Sequence, residues 1–400
     1  MKLQPVRIPG ADGLRAFACL IVVLHHTSQR LNPTNSPDWV QMLHFFGMRG
    51  EVGVSLFFVL SGCLLSLPFW NSFANKENSP SLKFYLINRG ARIIPAFWLN
   101  LIVCTFLGLW IFNQDINWWR LLSALFFINS YHYSTFFPAE INGPLWSIGL
   151  EVSCYLLLPI VLFLIIKSTK KFSHAIAGLI GWIVLLQLLN PLIINTFMTS
   201  NTSKGWQYGL IGGAKQWLPY WNINTFFSQF LCGSLAALII VALRSRGTAK
   251  SRYFDFAVLF FGLAAIWLVV ERLVVGAPDG LTDQPYVAPF YAILMAAVLV
   301  ASAFSTVVYR VLDNRVFRWI AKLSFSIYLW HMVFIVFIER KVSKNYVYNG
   351  VTDASEWVAL SCIVLAGSIC IAALSWRFLE SPVLQYARKA PHLSGKQRVD

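Results

Sequence analysis

The sequence predicts an all-α polytopic membrane protein, a bundle of about ten transmembrane helices with both termini on the cytoplasmic side. Three observations predict it. The 400 residues are 57% hydrophobic and only 12% charged, roughly half the charged share of a soluble domain. Apolar runs of roughly 20 residues recur along the chain, the length at which a helix crosses a bilayer. Lys and Arg gather in alternate connecting segments, as orientation by positive charge requires. The alternating ten-residue pattern of an outer-membrane barrel does not occur.

Taken in order, the apolar runs place helices at 13–31, 51–70, 93–113, 144–166, 175–195, 222–243, 254–274, 287–307, 323–339 and 356–376. The aromatic, polar-flanked segment 118–137 reads as an interfacial or partly inserted helix. With the N-terminus inside, segments 1–15, 71–92, 167–174, 244–252, 308–322 and 377–400 hold 23 of the 32 Lys and Arg. That imbalance supports N-in, C-in and an even number of spans. The net charge of +15 is therefore an orientation signal, and binding to nucleic acid is not expected. Residues 1–380 read as one transmembrane domain and 381–400 as a short cytoplasmic tail. The largest outer loop is expected at 196–221, and no internal repeat of the kind found in many transporters is visible.

Sixteen Trp and fourteen Tyr suit belts at the two membrane surfaces. The seven Cys all fall inside predicted spans and form no CxxC pair, so neither a disulfide framework nor a metal site is expected. The first apolar run has no A-x-A cleavage site and reads as a retained helix rather than a signal peptide.

Ionisable residues within spans are the candidates for function, because hydrocarbon penalises them unless something requires them. The first span holds Arg15, His25 and His26. At 100° per residue, Arg15 and His26 lie within about 20° of each other and about 16 Å apart along the axis, with His25 about 80° away. Arg89 and Arg92, three apart and before a Pro95 that suits an early helical position, share a helix face. Their guanidinium forks suit phosphate oxygens, and the same pair serves equally as a positive-inside anchor. Glu151 lies in a helix entered from outside and requires a partner such as His or Arg on a facing helix. His331 lies in the ninth span with Ser324, Ser326 and Tyr328 nearby, and Glu380 at the inner end of the last span reads as a local cap or ion pair. These residues suit either a proton-coupled transporter or an enzyme drawing a phosphorylated donor from the cytoplasm.

Several of these stretches resemble, in order, the motifs of the acyltransferase-3 family of integral membrane acyltransferases. They are GADGLRAFACLIVVLHH, VGVSLFFVLSGCLL, FYLINRGARIIPAFW, GPLWSIGLEVSCYLLLP, FSQFLCGSLAA, LSFSIYLWH and FLESP. Departures are Cys63 where an aromatic or aliphatic residue is commoner, Asn88 where Arg is frequent, and His25 where an aromatic is usual. The family's register assigns its histidine to His26.

The resemblance implies transfer of an acyl group, most often acetyl, from cytoplasmic acyl-CoA to a hydroxyl of a cell-surface or exported carbohydrate. Acceptors of the family include O-antigen, exopolysaccharide and peptidoglycan. It implies a multi-pass protein of the bacterial cytoplasmic (inner) membrane whose partners are acyl-CoA, the glycan and the bilayer, with no metal. The implied catalytic residues are His26, Glu151 and Arg15, with Glu151 orienting His26, and Arg89 and Arg92 bind acyl-CoA. His25, Ser61, Trp146, Ser147, Tyr328 and His331 are expected to line the site. Many relatives carry a fused extracytoplasmic hydrolase-like domain. This chain is expected to lack one, and so to complete transfer alone or pass the group to a separate protein. The competing expectation is a transporter coupled to protons or lipid-linked sugars.

Overall fold

The computed structural model describes residues 8–193, 218, 221–274 and 288–393. Among them there is no strand, and the one isolated bridge joins Leu31 to Val351. The first helix, α1 (Ala11–Ser28), starts at Gly10, whose φ of 85° is a left-handed conformation that glycine adopts without a Cβ clash. α1 is buried on two sides. Leu14, Ala18 and Val22 join one apolar core, while Ala16, Cys19 and Val23 join a second. The first core is built on α3 (Val52–Asn75). The second is built on two later helices, Arg315–Lys341 and Ala354–Ser375. α1 is thus a wedge between two packed groups of helices.

After α1 comes α2 (Asp38–Gly47), amphipathic, with Trp39, Met42 and Phe46 exposed. α4 (Leu82–Phe106) is capped by Ser81, which accepts a hydrogen bond from the Phe84 amide, and it ends in a π turn at Leu107–Ile111. α5 (Trp118–Leu125) is capped by Asn117 and exposes Trp118, Trp119 and Leu122.

α6 (Trp146–Ser168), α7 (Phe172–Ile193) and α8 (Ile223–Ser245) follow. α8 lies directly on α3: a Cβ at Gly62 would fall 1.8 Å from the Phe230 carbonyl oxygen, and one at Gly233 would fall 1.9 Å from that of Val59. Small residues at a helix crossing let two backbones touch where lipid supplies no hydrophobic drive between helices. The remaining helices are α9 (Arg252–Val274), α10 (Phe290–Phe304), α11 (Val308–Leu312), α12 (Arg315–Lys341), α13 (Ala354–Ser375) and α14 (Ser381–Leu393).

A helix runs through each of the ten expected segments, except that 194, 195 and 287 lie outside the described residues. Eight helices among the described residues are long and apolar enough to cross a membrane. α1 falls short because Asp12, Arg15, His25 and His26 interrupt it, and α10 because it has only 15 residues.

Three expectations change. Pro95 stands in the interior of α4, since the Ser81 cap starts the helix well before it. The 118–137 segment is helical only at Trp118–Leu125, followed by a 3₁₀ turn at Asn129–Tyr131. Residues after 380 are not simply a tail: α14 packs along α4 with Leu384 and Ala387 buried, joined to α13 through a π turn at Trp376–Glu380. Of the expected 196–221 loop, only Leu218 and Trp221 are described.

Replacing Gly233 with Ala is expected to force α3 and α8 apart and cost about 1–3 kcal/mol, the usual cost of overpacking. Equilibrium unfolding of purified protein in mixed detergent micelles measures it, and unchanged stability would mean the crossing yields freely.

Candidate active site

The chain entering α3 runs back along α1: a Cβ at Gly50 would lie close against the Ile21 carbonyl oxygen, and one at Gly53 would lie 2.6 Å from that of Ala18. The two helices are therefore antiparallel, and the first turn of α1 lies at the end of the bundle away from the first turn of α3. Between α1, α3, α4, α6, α12 and α14 lies a cavity of about 520 Å³. Its wall includes Arg15 and Asp12 from α1, Arg89 and Arg92 from α4, and Arg388 from α14. Farther along, Val54, Phe57, Phe58 and Ile148 make an apolar wall, joined by Ser61, Ser147, Glu151, Tyr155 and Tyr328. A cationic end thus passes into an apolar sleeve containing one carboxylate and several hydroxyls.

The two arginines of α4 are held differently. Arg92 Nη1 lies 3.2 Å from Glu380 Oε2, and its guanidinium stacks over Trp376 at 5.2 Å and Phe325 at 5.7 Å. Glu380 is only 1% exposed and also accepts hydrogen bonds from Ser326 and Ser375. A buried carboxylate needs such saturation, because leaving it unpaired is expensive. This clamp ties α4, α12 and the π turn before α14 together. Arg89, one turn earlier, faces the cavity without entering that clamp.

Glu151 Oε1 accepts hydrogen bonds from the Ser61 hydroxyl at 3.2 Å and from the Tyr155 hydroxyl. The expected bond from Glu151 to His26 is not among those formed by the described residues. The reason is packing: Glu151 on α6 turns toward α3, whereas the His26 face of α1 turns toward α12. Tyr328 donates to the Pro144 carbonyl at 2.8 Å and shares a 2.8 Å bond with Ser147, closing that part of the wall.

Just past Tyr328, whose ring centroid is 5.7 Å from that of His331, His331 meets His26. His331 Nε2 lies 3.2 Å from His26 Nδ1, with ring centroids 5.0 Å apart. His26 Nδ1 also lies 3.0 Å from the Val22 carbonyl, and His331 Nδ1 lies 2.7 Å from that of Tyr328. His331 is fully buried while His26 keeps some accessible surface.

His25 lies edge-on to His26, with ring centroids 5.0 Å apart, but its hydrogen bonds go elsewhere. Its Nδ1 lies 3.1 Å from the Met48 carbonyl and 3.4 Å from Glu51, and the Gln29 amide donates to its Nε2. It pins the end of α1 to the turn before α3. Trp146 is a scaffold residue, buried and stacked between Phe136 at 5.4 Å and Trp221 at 4.4 Å. Arg15, Ser61, Arg89, Arg92, Ser147, Glu151 and Tyr328 therefore share the cavity wall, His26 and His331 pair beyond it, and His25 and Trp146 serve neighbouring structure.

Sequence reasoning missed Tyr155 and Arg388. Tyr155 was legible in principle, four residues after Glu151 and hence on its face of the helix. Arg388 was not, because nothing local says that α14 folds along α4. Among the described residues no three His, Cys, Asp or Glu side chains converge as metal ligands would.

The sequence profile of the acyltransferase-domain family matches residues 8–374. The chain belongs to the acyltransferase-3 family. It is 26% identical over 409 residues to O-acetyltransferase OatA of Staphylococcus aureus strain NCTC 8325 / PS 47, covering 97% of this chain and 59% of that protein. OatA of Staphylococcus aureus strain COL matches to the same extent. The chain thus spans less than two thirds of the length of these relatives. The family match runs from α1 to α13, and Glu380 and α14 lie beyond it.

Arg92→Ala and Glu380→Ala are each expected to cost about 2–3 kcal/mol, less than a fully buried pair would because Arg92 is partly exposed. The double variant should recover part of that loss, because no buried charge is then left alone. Unfolding titrations of the four proteins measure the coupling, and strictly additive losses would show that the two residues act independently.

Proposed function

We propose that this protein is a membrane O-acyltransferase that moves an acyl group, most simply acetyl, from cytoplasmic acyl-CoA to a hydroxyl of a cell-surface or exported glycan. It crosses the bacterial inner membrane ten times, with both termini in the cytoplasm. The observation that carries this reading is one cavity that joins a cluster of arginines to an apolar sleeve whose Tyr328 wall lies against a histidine pair. Membership of the acyltransferase-3 family and the names of the relatives support it.

Acyl-CoA is anionic at its nucleotide and apolar along its acyl arm, and the cavity offers the matching order of groups. Arg89, Arg15 and Arg388 hold phosphate groups, since guanidinium forks suit phosphate oxygens. Arg92 chiefly holds the wall through Glu380. The acyl arm runs along Phe57, Phe58 and Ile148 toward Tyr328. His26 takes the proton of the acceptor hydroxyl as its oxygen attacks the thioester carbonyl, the carbon–sulfur bond breaks, and the departing thiolate takes the proton back. Glu151 acts inside the cavity through Ser61 and Tyr155 rather than on His26. Keeping water out matters, because hydrolysis of the thioester competes with transfer.

The test is thiol release from acetyl-CoA by protein reconstituted in lipid nanodiscs, with the glycan fraction of the native host as acceptor. His26→Ala should lower transfer by about 10²–10⁴-fold, the usual contribution of a general base, and an undiminished rate would overturn the assignment. Arg89→Ala should raise the KM for acetyl-CoA about tenfold with kcat little changed, as losing one charge-assisted contact predicts. An unchanged KM would reduce Arg89 to a membrane anchor. Mass analysis of surface glycans from a deletion strain identifies the acceptor.

A further inference from the structure

The histidine pair contains more information than its proximity. A carbonyl oxygen can only accept a hydrogen bond. His331 Nδ1, 2.7 Å from the Tyr328 carbonyl, must therefore carry a proton, which leaves its Nε2 as a lone-pair acceptor when the ring is neutral. His26 Nδ1 stands 3.0 Å from the Val22 carbonyl and 3.2 Å from that acceptor, so it too must carry a proton. The opposite assignment would set lone pair against lone pair at the Tyr328 and Val22 carbonyls. With Nδ1 protonated, neutral His26 presents its lone pair on Nε2. Its accessible surface is the only part of the pair open to a reactant, because His331 is fully buried.

Resting on the proposed function above, we infer that His331 is the positioning residue of the site: together with the Val22 carbonyl it holds His26 in the Nδ1–H tautomer with Nε2 as the base. It takes the place that the sequence assigned to Glu151. The Tyr328 carbonyl orients His331, His331 orients His26, and Tyr328 itself forms the cavity wall. When His26 Nε2 takes the proton of the acceptor hydroxyl, the ring becomes cationic and its Nδ1–H bond to His331 becomes charge-assisted and stronger. The bond thus stabilises the state in which the carbon–oxygen bond forms and the carbon–sulfur bond breaks. When the thiolate takes the Nε2 proton, the pair returns to its starting tautomers. A neutral imidazole suits this place because a carboxylate, fully buried between α1 and α12, would need a permanent counter-charge.

The experiment compares His331→Phe, which removes the side-chain acceptor of His26 Nδ1 while filling the space and leaves the Val22 carbonyl in place, with His331→Gln, whose amide oxygen restores one. Both are assayed as whole protein in nanodiscs with acetyl-CoA as donor and the host glycan fraction as acceptor. Loss of the tautomer-holding carboxylate in a catalytic triad costs about 10⁴-fold, and a neutral partner imposes less, so His331→Phe should lower kcat about 10–100-fold. Its KM for acetyl-CoA should stay at the wild-type value, and His331→Gln should regain most of the lost kcat. A wild-type kcat in His331→Phe overturns the inference, as does a folded His331→Gln protein no more active than His331→Phe. If Phe prevents folding, His331→Met serves instead against His331→Gln, and equal turnover of those two overturns the inference. His26→Ala separates the two levels. If it retains the full rate, the proposed function itself fails. If it is inactive while His331→Phe turns over normally, only the positioning role fails.

Discussion

The structure depends on burying a polar helix between two apolar cores. α1 carries Asp12, Arg15, His25 and His26 and is too polar to satisfy itself in hydrocarbon, where every unpaired polar group costs several kcal/mol. It is held because α3 closes on one side of it and α12 on the other. Its two histidines are then met by groups from different elements. His25 meets the turn before α3, His26 meets α12, and Arg15 faces the shared cavity. The close crossing of α3 and α8 through Gly62 and Gly233 braces one side of this arrangement.

The same wedge explains why the candidate site has its shape. Because α1 runs against α3, Arg15 near the start of α1 and Val54 near the start of α3 lie toward opposite ends of the cavity wall. The Arg92–Glu380 clamp fixes the basic end by tying α4 to α12 and to the π turn that launches α14. Pairing a buried acid with a partly exposed arginine makes that arginine a structural element, and leaves Arg89, Arg15 and Arg388 to face the cavity.

Much of this was legible in the residues. Each expected span contains a helix, because apolar length and the breaks between runs act locally. The helical period put Arg15 and His26 on one face, and Glu151 was singled out as a carboxylate that needs a His or Arg partner, where the structure supplies Ser61 and Tyr155. Legibility failed where an outcome depended on a distant neighbour. The Ser81 cap starts α4 at Leu82, eleven residues before the expected 93, so Pro95 fell inside the helix. α2 went unnoticed because its ten residues are too few for a span, although Pro37 before it and Trp39, Met42 and Phe46 at helical spacing were a usable signal.

Composition and periodicity settle that the chain is a helical membrane-type protein, where its helices lie, and which side chains sit where apolar surroundings would penalise them. Those properties follow from the transfer cost of each residue and the geometry of one helix. Which residue meets which is another matter. That Glu151 turns to Ser61, that His26 turns to His331, that Arg92 is taken by Glu380, and that Arg388 reaches the cavity were decided by tertiary packing. The hydrogen bonds among these join residues from 90 to 305 positions apart, and no pattern within a single helix records which face of which neighbour it will meet.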